Sequence, residues 1–169
     1  MKISRPTLHL LCGKVAAGKS TLAAHLAEAK NTVLIEEDAW LAALFAEELL
    51  TPKDYLRCTT KLRRAMTPHV VALLDAGTSI VLDFQANTVE SRTWMRDLLN
   101  KTDADHQLNV LMPPDEVCLA RLRLRNESGL HPFQVTEDQF RQISAHFTEP
   151  TPEEGFNLVY HQDGIETRQ

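Results

Sequence analysis

A short run near the start of the chain has the residue types and the spacing that bind phosphate groups. Residues 13–20 read Gly-Lys-Val-Ala-Ala-Gly-Lys-Ser, which fits the pattern G-x-x-x-x-G-K-[ST]. Gly13 and Gly18 let successive backbone N–H groups point into one cavity, and a helix that begins at this loop adds its positive dipole end. A chance Gly-Lys-Ser turn is the alternative, but the run also lies between an expected strand and an expected helix, as the pattern requires. We therefore predict a loop that cradles the phosphates of a nucleotide.

Two polar residues of this loop carry separate predictions. Lys19 is expected to reach the β- and γ-phosphate oxygens as a point charge and to act in catalysis, and the Ser20 hydroxyl is expected to ligate Mg²⁺. Thr21 is a predicted contact to the α-phosphate. The residues predicted to bind the nucleotide are Gly13, Lys14, Val15, Ala16, Ala17, Gly18, Lys19, Ser20 and Thr21.

Carboxylates follow two of the expected strands, and ligands of open α/β sheets bind beyond the carboxyl ends of strands. Asp83 ends the apolar run Ile80-Val81-Leu82, and its carboxylate is predicted to hold magnesium or a magnesium-bound water. A solvated strand end is the other interpretation of Asp83. Asp38 follows the second strand, where it is either a general base that takes the proton of an acceptor hydroxyl or the N-cap of a helix. We assign Asp38 the base role.

Two arginines precede a segment without clear periodicity. Arg121 and Arg125 are four residues apart and so share one face of the expected helix. The segment of about residues 126–135 contains Gly129 and is predicted to be a lid. Lid arginines would neutralise the charge of a transferring phosphoryl group and exclude water. The alternative is a solvated helix end, where cations are favoured by the helix dipole.

Asn87 and Arg92 lie just past the third expected strand. They are predicted to orient an anionic or polyhydroxylated acceptor, although both fit ordinary surface polar positions. The histidines, including His131, show no metal-ligand spacing, and none is predicted as a site residue.

The elements that must position these residues are short apolar runs that alternate with helical patterns. This alternation is the βαβ signature of a parallel sheet with helices on both faces. Strands are expected at residues 7–12, 32–36, 79–84, 108–112 and 156–160, and helices at 19–30, 38–50, 88–100, 115–126 and 136–147. Another helix opens at Thr51-Pro52, and at Thr67-Pro68 it either kinks or gives way to a new helix capped by Thr67.

The composition favours one small, acidic domain over residues 1–169. The net charge of −5 argues against electrostatic binding of nucleic acid or of an anionic membrane over a broad surface. No segment approaches the length of a membrane-spanning helix. Three widely spaced cysteines without a CxxC pair favour a cytoplasmic protein with free thiols.

Together these motifs resemble the zeta-toxin and chloramphenicol-phosphotransferase group of small P-loop kinases, and the chain looks similar to bacterial AAA-domain ATP-binding proteins with kinase-like folds. The likeness extends to Val81-Leu82-Asp83-Phe84 and to residues 135–140 and 149–155. It implies a three-layer P-loop NTPase fold with sheet order 2-3-1-4-5, ATP with Mg²⁺ as cofactors, Asp38 as base, and Arg121 and Arg125 as lid arginines. Polynucleotide kinases of this group carry an arginine where this chain has Leu41, which argues against a nucleic-acid acceptor.

The expected function is transfer of the γ-phosphate of ATP to a hydroxyl of a small molecule. The alternative is a nucleotide-binding regulator or slow ATPase that has no small-molecule acceptor. The predicted arginine lid favours the phosphotransferase. The sequence does not identify the acceptor or the oligomeric state.

Overall fold

One twisted sheet forms the centre of the molecule in this computed structural model, which describes residues 5–131, 133–162 and 165–166. Its strands are β1 (Thr7–Cys12), β2 (Thr32–Glu36), β3 (Ser79–Gln85), β4 (Asp105–Leu111), β5 (Leu158–Gln162) and β6 (Ile165–Glu166). Their order is β2-β3-β1-β4-β5-β6. The parallel order 2-3-1-4-5 that the resemblance implied is confirmed. The short β6 strand, antiparallel to β5, is an addition that no prediction included.

Helices connect the strands at almost every crossover. The longer helices are α1 (Lys19–Ala27), α2 (Glu37–Phe45), α3 (Pro52–Asp75), α4 (Val89–Leu99), α5 (Asp115–Ser128) and α6 (Glu137–Ser144). Short 3-10 helices cover Ala46–Glu48 and Pro152–Glu154. None of the helices in the described part of the chain is long and apolar enough to cross a membrane.

Alternating side chains of the strands divide the core into two layers. Leu10 and Leu82 face α3 and α4, where they pack with residues such as Met66 and Met95. The neighbouring residues of the same strands point to the opposite face, toward a cluster made largely by α1 and α5. This is the expected three-layer arrangement with helices on both faces of the sheet.

Helix α3 continues through Pro68 as one 24-residue helix, so the alternative prediction of a new helix capped by Thr67 is wrong. Pro68 has no N–H to give to the carbonyl four residues earlier. The Thr67 hydroxyl instead donates to the Arg63 carbonyl over 2.8 Å, and the Trp94 indole N–H donates to the same hydroxyl over 2.9 Å. These bonds hold the turn around Pro68. The expected start at Thr51 is confirmed, since Thr51 and Asp54 form a reciprocal capping box.

Strand register brings the acidic residues together. Glu36 at the end of β2 lies opposite Asp83 in β3. The chain then enters α2 directly, which puts Glu37 and Asp38 beside the carboxyl end of β3. The loop between β1 and α1 opens at the same edge of the sheet, next to β3 and β4.

Candidate functional site

The loop from Gly13 to Ser20 has a backbone that depends on its glycines. A Cβ atom on Gly13 would lie 2.7 Å from the Leu111 carbonyl oxygen, which is too close for a side chain. Gly18 has φ 103, in the left-handed region that favours glycine. Both positions required by the sequence pattern therefore have a steric reason in this fold.

Lys19 is folded back along this loop. Its Nζ donates to the carbonyl oxygens of Gly13 and Lys14, over 2.6 and 2.8 Å. Burial lowers the pKa of Lys19, and the nearby Asp83 carboxylate opposes that effect. The ammonium group is thus held against the loop by backbone oxygens that attract its charge.

Ser20 and Asp83, the two residues predicted to hold Mg²⁺, are in contact. The Ser20 hydroxyl donates to Asp83 Oδ2 over 2.8 Å. Hydroxyl and carboxylate oxygens are the ligands that magnesium prefers, and magnesium in phosphate sites uses few protein ligands. This pair of oxygens next to the loop therefore fits the ion that the fold family implies.

Asp38 lies in the first turn of α2 with its side chain 37% exposed. The N-cap of this helix is Glu36, so the alternative that Asp38 is the cap is wrong. Burial raises the pKa of Asp38, and the charge of His131, whose Nε2 lies 3.8 Å from Asp38 Oδ2, opposes it. His131 belongs to the predicted lid and was not predicted as a site residue, yet the fold places it beside Asp38.

The two predicted lid arginines lie at different parts of the site. Arg121 Nη1 donates to the Ala17 carbonyl in the loop over 3.2 Å. Arg125 lies one turn later in α5. Burial lowers the pKa of Arg125, and the nearby charge of Asp38 opposes this effect. Its buried Nε has no hydrogen-bond partner among the described residues. Helix α5 runs to Ser128 and so includes the first three residues of the segment predicted as a lid, and Gly129 ends it with φ 65.

Asn87 contacts the phosphate loop at Gly13. Its Oδ1 accepts the Gly13 N–H and its Nδ2 donates to the Gly13 carbonyl, each over 2.8 Å. This paired contact fixes the first residue of the phosphate loop. Its predicted role as a residue that orients an acceptor stays a prediction.

Arg92 does not reach the site surface. It is 0% exposed, and it pairs with both carboxylate oxygens of Glu154 over 2.6 and 3.0 Å. Its Nη1 donates to the carbonyls of Ala86 and Thr148. A guanidinium that is buried and bonded in this way joins α4 to the segment before β5. The predicted acceptor contact of Arg92 is wrong for this position.

Glu37 is a residue of this region that no sequence pattern predicted. It is 3% exposed, and burial raises its pKa to about 7. Arg63 of α3 lies 3.5 Å from its carboxylate. The available signal was the spacing of Tyr55, Thr59 and Arg63, which places three polar residues on one face of α3.

A phosphate-type loop on an α/β sheet, with carboxylates at the neighbouring strand ends, defines a P-loop nucleotide-binding domain. The AAA domain family matches residues 8–150, and the chain belongs to that family. The predicted membership among small P-loop kinase-like AAA proteins is confirmed.

Solved structures agree on the fold. A candidate kinase from Chloroflexus aurantiacus has a TM-score of 0.72 and 19% identity, over 94% of this chain and 85% of that chain. A sugar kinase from Janibacter sp. has a TM-score of 0.62 and 19% identity, over 92% of this chain and 84% of that one. An APS kinase from Mycobacterium tuberculosis, in complex with AMPPNP and APS, has a TM-score of 0.60 and 18% identity, over 93% of this chain and 89% of that chain. A search of curated proteins found no match.

Proposed function

We propose that the protein is an ATP-dependent phosphotransferase that moves the γ-phosphate of ATP to a hydroxyl of a small molecule. The observation that carries this proposal is the grouping at one sheet edge. There the loop lysine, the Ser20–Asp83 pair and Asp38 lie together, with Arg125 of α5 close to Asp38. Kinases among the structural neighbours support the same class of reaction.

The loop and its cations would hold the triphosphate. Backbone N–H groups of the loop and the helix end at Lys19 attract the phosphate oxygens, while Lys19 itself would exchange its two carbonyl partners for phosphate oxygens. Ser20 and Asp83 would hold Mg²⁺, which when bound neutralises charge on the β- and γ-phosphates. Arg121 beside the loop and Arg125 beside Asp38 would neutralise the remaining charge on the phosphoryl group.

Asp38 would act as the general base. The acceptor oxygen forms a bond to the γ-phosphorus as the bond between that phosphorus and the oxygen bridging the β- and γ-phosphates breaks, and ADP leaves. The hydroxyl proton goes to the Asp38 carboxylate, whose raised pKa makes it a better proton acceptor than an exposed aspartate. Most of the catalysis would come from positioning and charge neutralisation, as in other phosphoryl transfers.

The test is to incubate the protein with Mg-ATP and a panel of hydroxylated metabolites and antibiotics, and to score each compound by mass spectrometry for an added phosphate. We expect transfer to a subset of the panel, and Asp38→Asn should lose transfer while keeping nucleotide affinity. ADP formation at the same rate with and without every compound would instead favour the slow ATPase. Retained transfer by Asp38→Asn would remove the base role.

A further inference from the structure

A cluster of polar side chains lies beside Asp38, between the start of α2 and the middle of α3. Tyr55, Thr59 and Arg63 occupy one face of α3, next to the stripe that packs into the core. Arg63 Nη2 reaches Glu37 Oε1 at 3.5 Å. Burial raises the pKa of the Tyr55 phenol, and the carboxylates of Glu37 and Asp38 raise it further, which places all of these groups close together.

The guanidinium of Arg63 is held in place but is not saturated by protein partners. Its Cζ lies 5.1 Å from the centroid of the Trp94 ring, and its Nη1 donates to the Ser91 hydroxyl over 3.3 Å. Its Nε is buried and has no hydrogen-bond partner within the described part of the chain. The single contact to Glu37 at 3.5 Å is long compared with the paired 2.6 and 3.0 Å contacts between Arg92 and Glu154.

This comparison separates the fully buried Arg92 from the half-buried Arg63. Arg92 has the geometry of a structural ion pair, with every nitrogen directed at a protein oxygen. Arg63 keeps a buried N–H without an acceptor, and such a donor destabilises the protein until an oxygen binds it. Glu37 beside it accepts a hydrogen bond from the backbone of Gln85 and retains free lone pairs. A hydroxyl group satisfies both neighbours, because it donates to the carboxylate and accepts from the guanidinium.

We propose that Glu37 and Arg63 form a specificity-determining subsite that binds a second hydroxyl of the acceptor, next to the hydroxyl that Asp38 deprotonates. The acceptor class is then a neutral polyhydroxylated small molecule. A hydroxyl can donate to Glu37 and accept from Arg63, whereas a carboxylate or phosphate of the acceptor could only accept and would lie against the oxygens of Glu37 and Asp38. This inference rests on the proposed function for its kinetic test but not for its binding test.

The kinetic test compares neutral polyols with matched mono-alcohols and with sugar acids, using wild type, Arg63→Gln, Arg63→Lys and Glu37→Gln. We expect polyols to be the preferred acceptors and the two glutamine variants to raise the acceptor KM about 10- to 100-fold, as loss of a charged hydrogen bond would. The KM for ATP should stay within about twofold. Arg64→Gln, on the exposed neighbour of Arg63, is the matched control and should leave both constants unchanged. Equal use of mono-alcohols, or an unchanged acceptor KM in Arg63→Gln, would overturn the subsite.

The binding test uses wild-type protein only, so it depends neither on turnover nor on the folding of a variant. Polyols are titrated into ¹⁵N-labelled wild-type protein with and without AMPPNP, and the side-chain Nε–H resonance of Arg63 is followed by NMR. We expect this resonance to shift with polyols and not with mono-alcohols. A polyol-induced shift without any phosphate transfer would retain the subsite and reject the phosphotransferase. An Arg63 resonance that no polyol moves would reject the subsite, even if transfer to another acceptor is observed.

Discussion

Glu37 is a carboxylic acid that the fold holds almost entirely away from water. Its pKa rises from 4.5 to about 7 because burial penalises the charged form more than Arg63 favours it. The native state therefore binds a proton that the unfolded chain releases, and stability falls as pH rises from about 4.5 to about 7. We predict that Glu37→Gln is more stable than wild type by about 1 to 3 kcal/mol at pH 8, with the difference vanishing near pH 4. Urea unfolding at both pH values measures it, and equal stabilities at pH 8 would contradict it.

His131 acts on a neighbouring carboxyl group through charge. Its Nε2 lies 3.8 Å from Asp38, and a protonated imidazole favours the charged form of that carboxylate. We predict that His131→Gln raises the pKa of Asp38 above its wild-type value, because burial and the carboxylate of Asp83 then act with less opposition. Carboxyl ¹³C NMR titration measures this shift directly. The control is His146→Gln, at an exposed histidine just after the end of α6, which should leave the titration of Asp38 unchanged.

The elements could be predicted largely from the sequence, since each strand and helix carries its own local pattern. Strands β1 and β2 match their expected bounds, and α3 and α6 begin at Thr51 and Thr136, as expected, with these residues as their N-caps. Strand β4 begins at Asp105, three residues early, because its first residues are polar and do not read as a buried run. Helix α3 passes Pro68 because side chains from its own turn and from α4 compensate there, which no local pattern reports.

The cap of α3 is a feature whose energetic effect can be isolated. The Thr51 hydroxyl accepts the Asp54 N–H over 3.1 Å, and Asp54 Oδ2 accepts the Thr51 N–H over 3.1 Å. We predict that Thr51→Ala destabilises the protein by about 1 kcal/mol, or about 2 to 4 °C in Tm. Thr60→Ala, in the exposed middle of the same helix, is the control and should change Tm less. A Thr51→Ala protein with wild-type Tm would show that the long helix does not depend on its cap.

Only part of the site could be predicted from the sequence. The predictable part is contiguous in the chain, whereas the rest consists of contacts between residues that are far apart in the sequence. The phosphate loop is contiguous, so one motif predicts nearly all of it. Glu37 meets Arg63, and Asp38 meets His131, only after α2, α3 and the segment beyond α5 have packed at one sheet edge. The contacts of Asn87 and Arg92 could not be predicted for the same reason, because position after a strand does not tell whether a side chain faces solvent, the loop or the core.

The charge distribution of the whole molecule suits a small anionic cosubstrate. The chain carries a net charge of −5, yet Lys19, Arg121 and Arg125 lie at the single edge where the loop opens. A nucleotide triphosphate meets local positive charge there, whereas a long polyanion would also meet the acidic remainder of the surface. We therefore expect a bound nucleotide to stabilise this arrangement of cations.

Nucleotide binding should be visible as stability of the entire fold. If the native state alone binds Mg-ATP, a hundredfold excess over Kd stabilises it by about 2.7 kcal/mol. For a chain of this length that corresponds to a Tm increase of roughly 5 to 11 °C, measured by thermal unfolding across a nucleotide titration. Lys19→Ala should lose most of this increase, whereas Lys30→Ala, at an exposed lysine beyond α1, should keep it. Adenosine, which lacks phosphates, should give little increase in wild type, because the loop contributes its N–H groups and Lys19 only to phosphate oxygens. A Tm that no nucleotide changes, or an increase that Lys19→Ala retains, would remove the loop as the phosphate site.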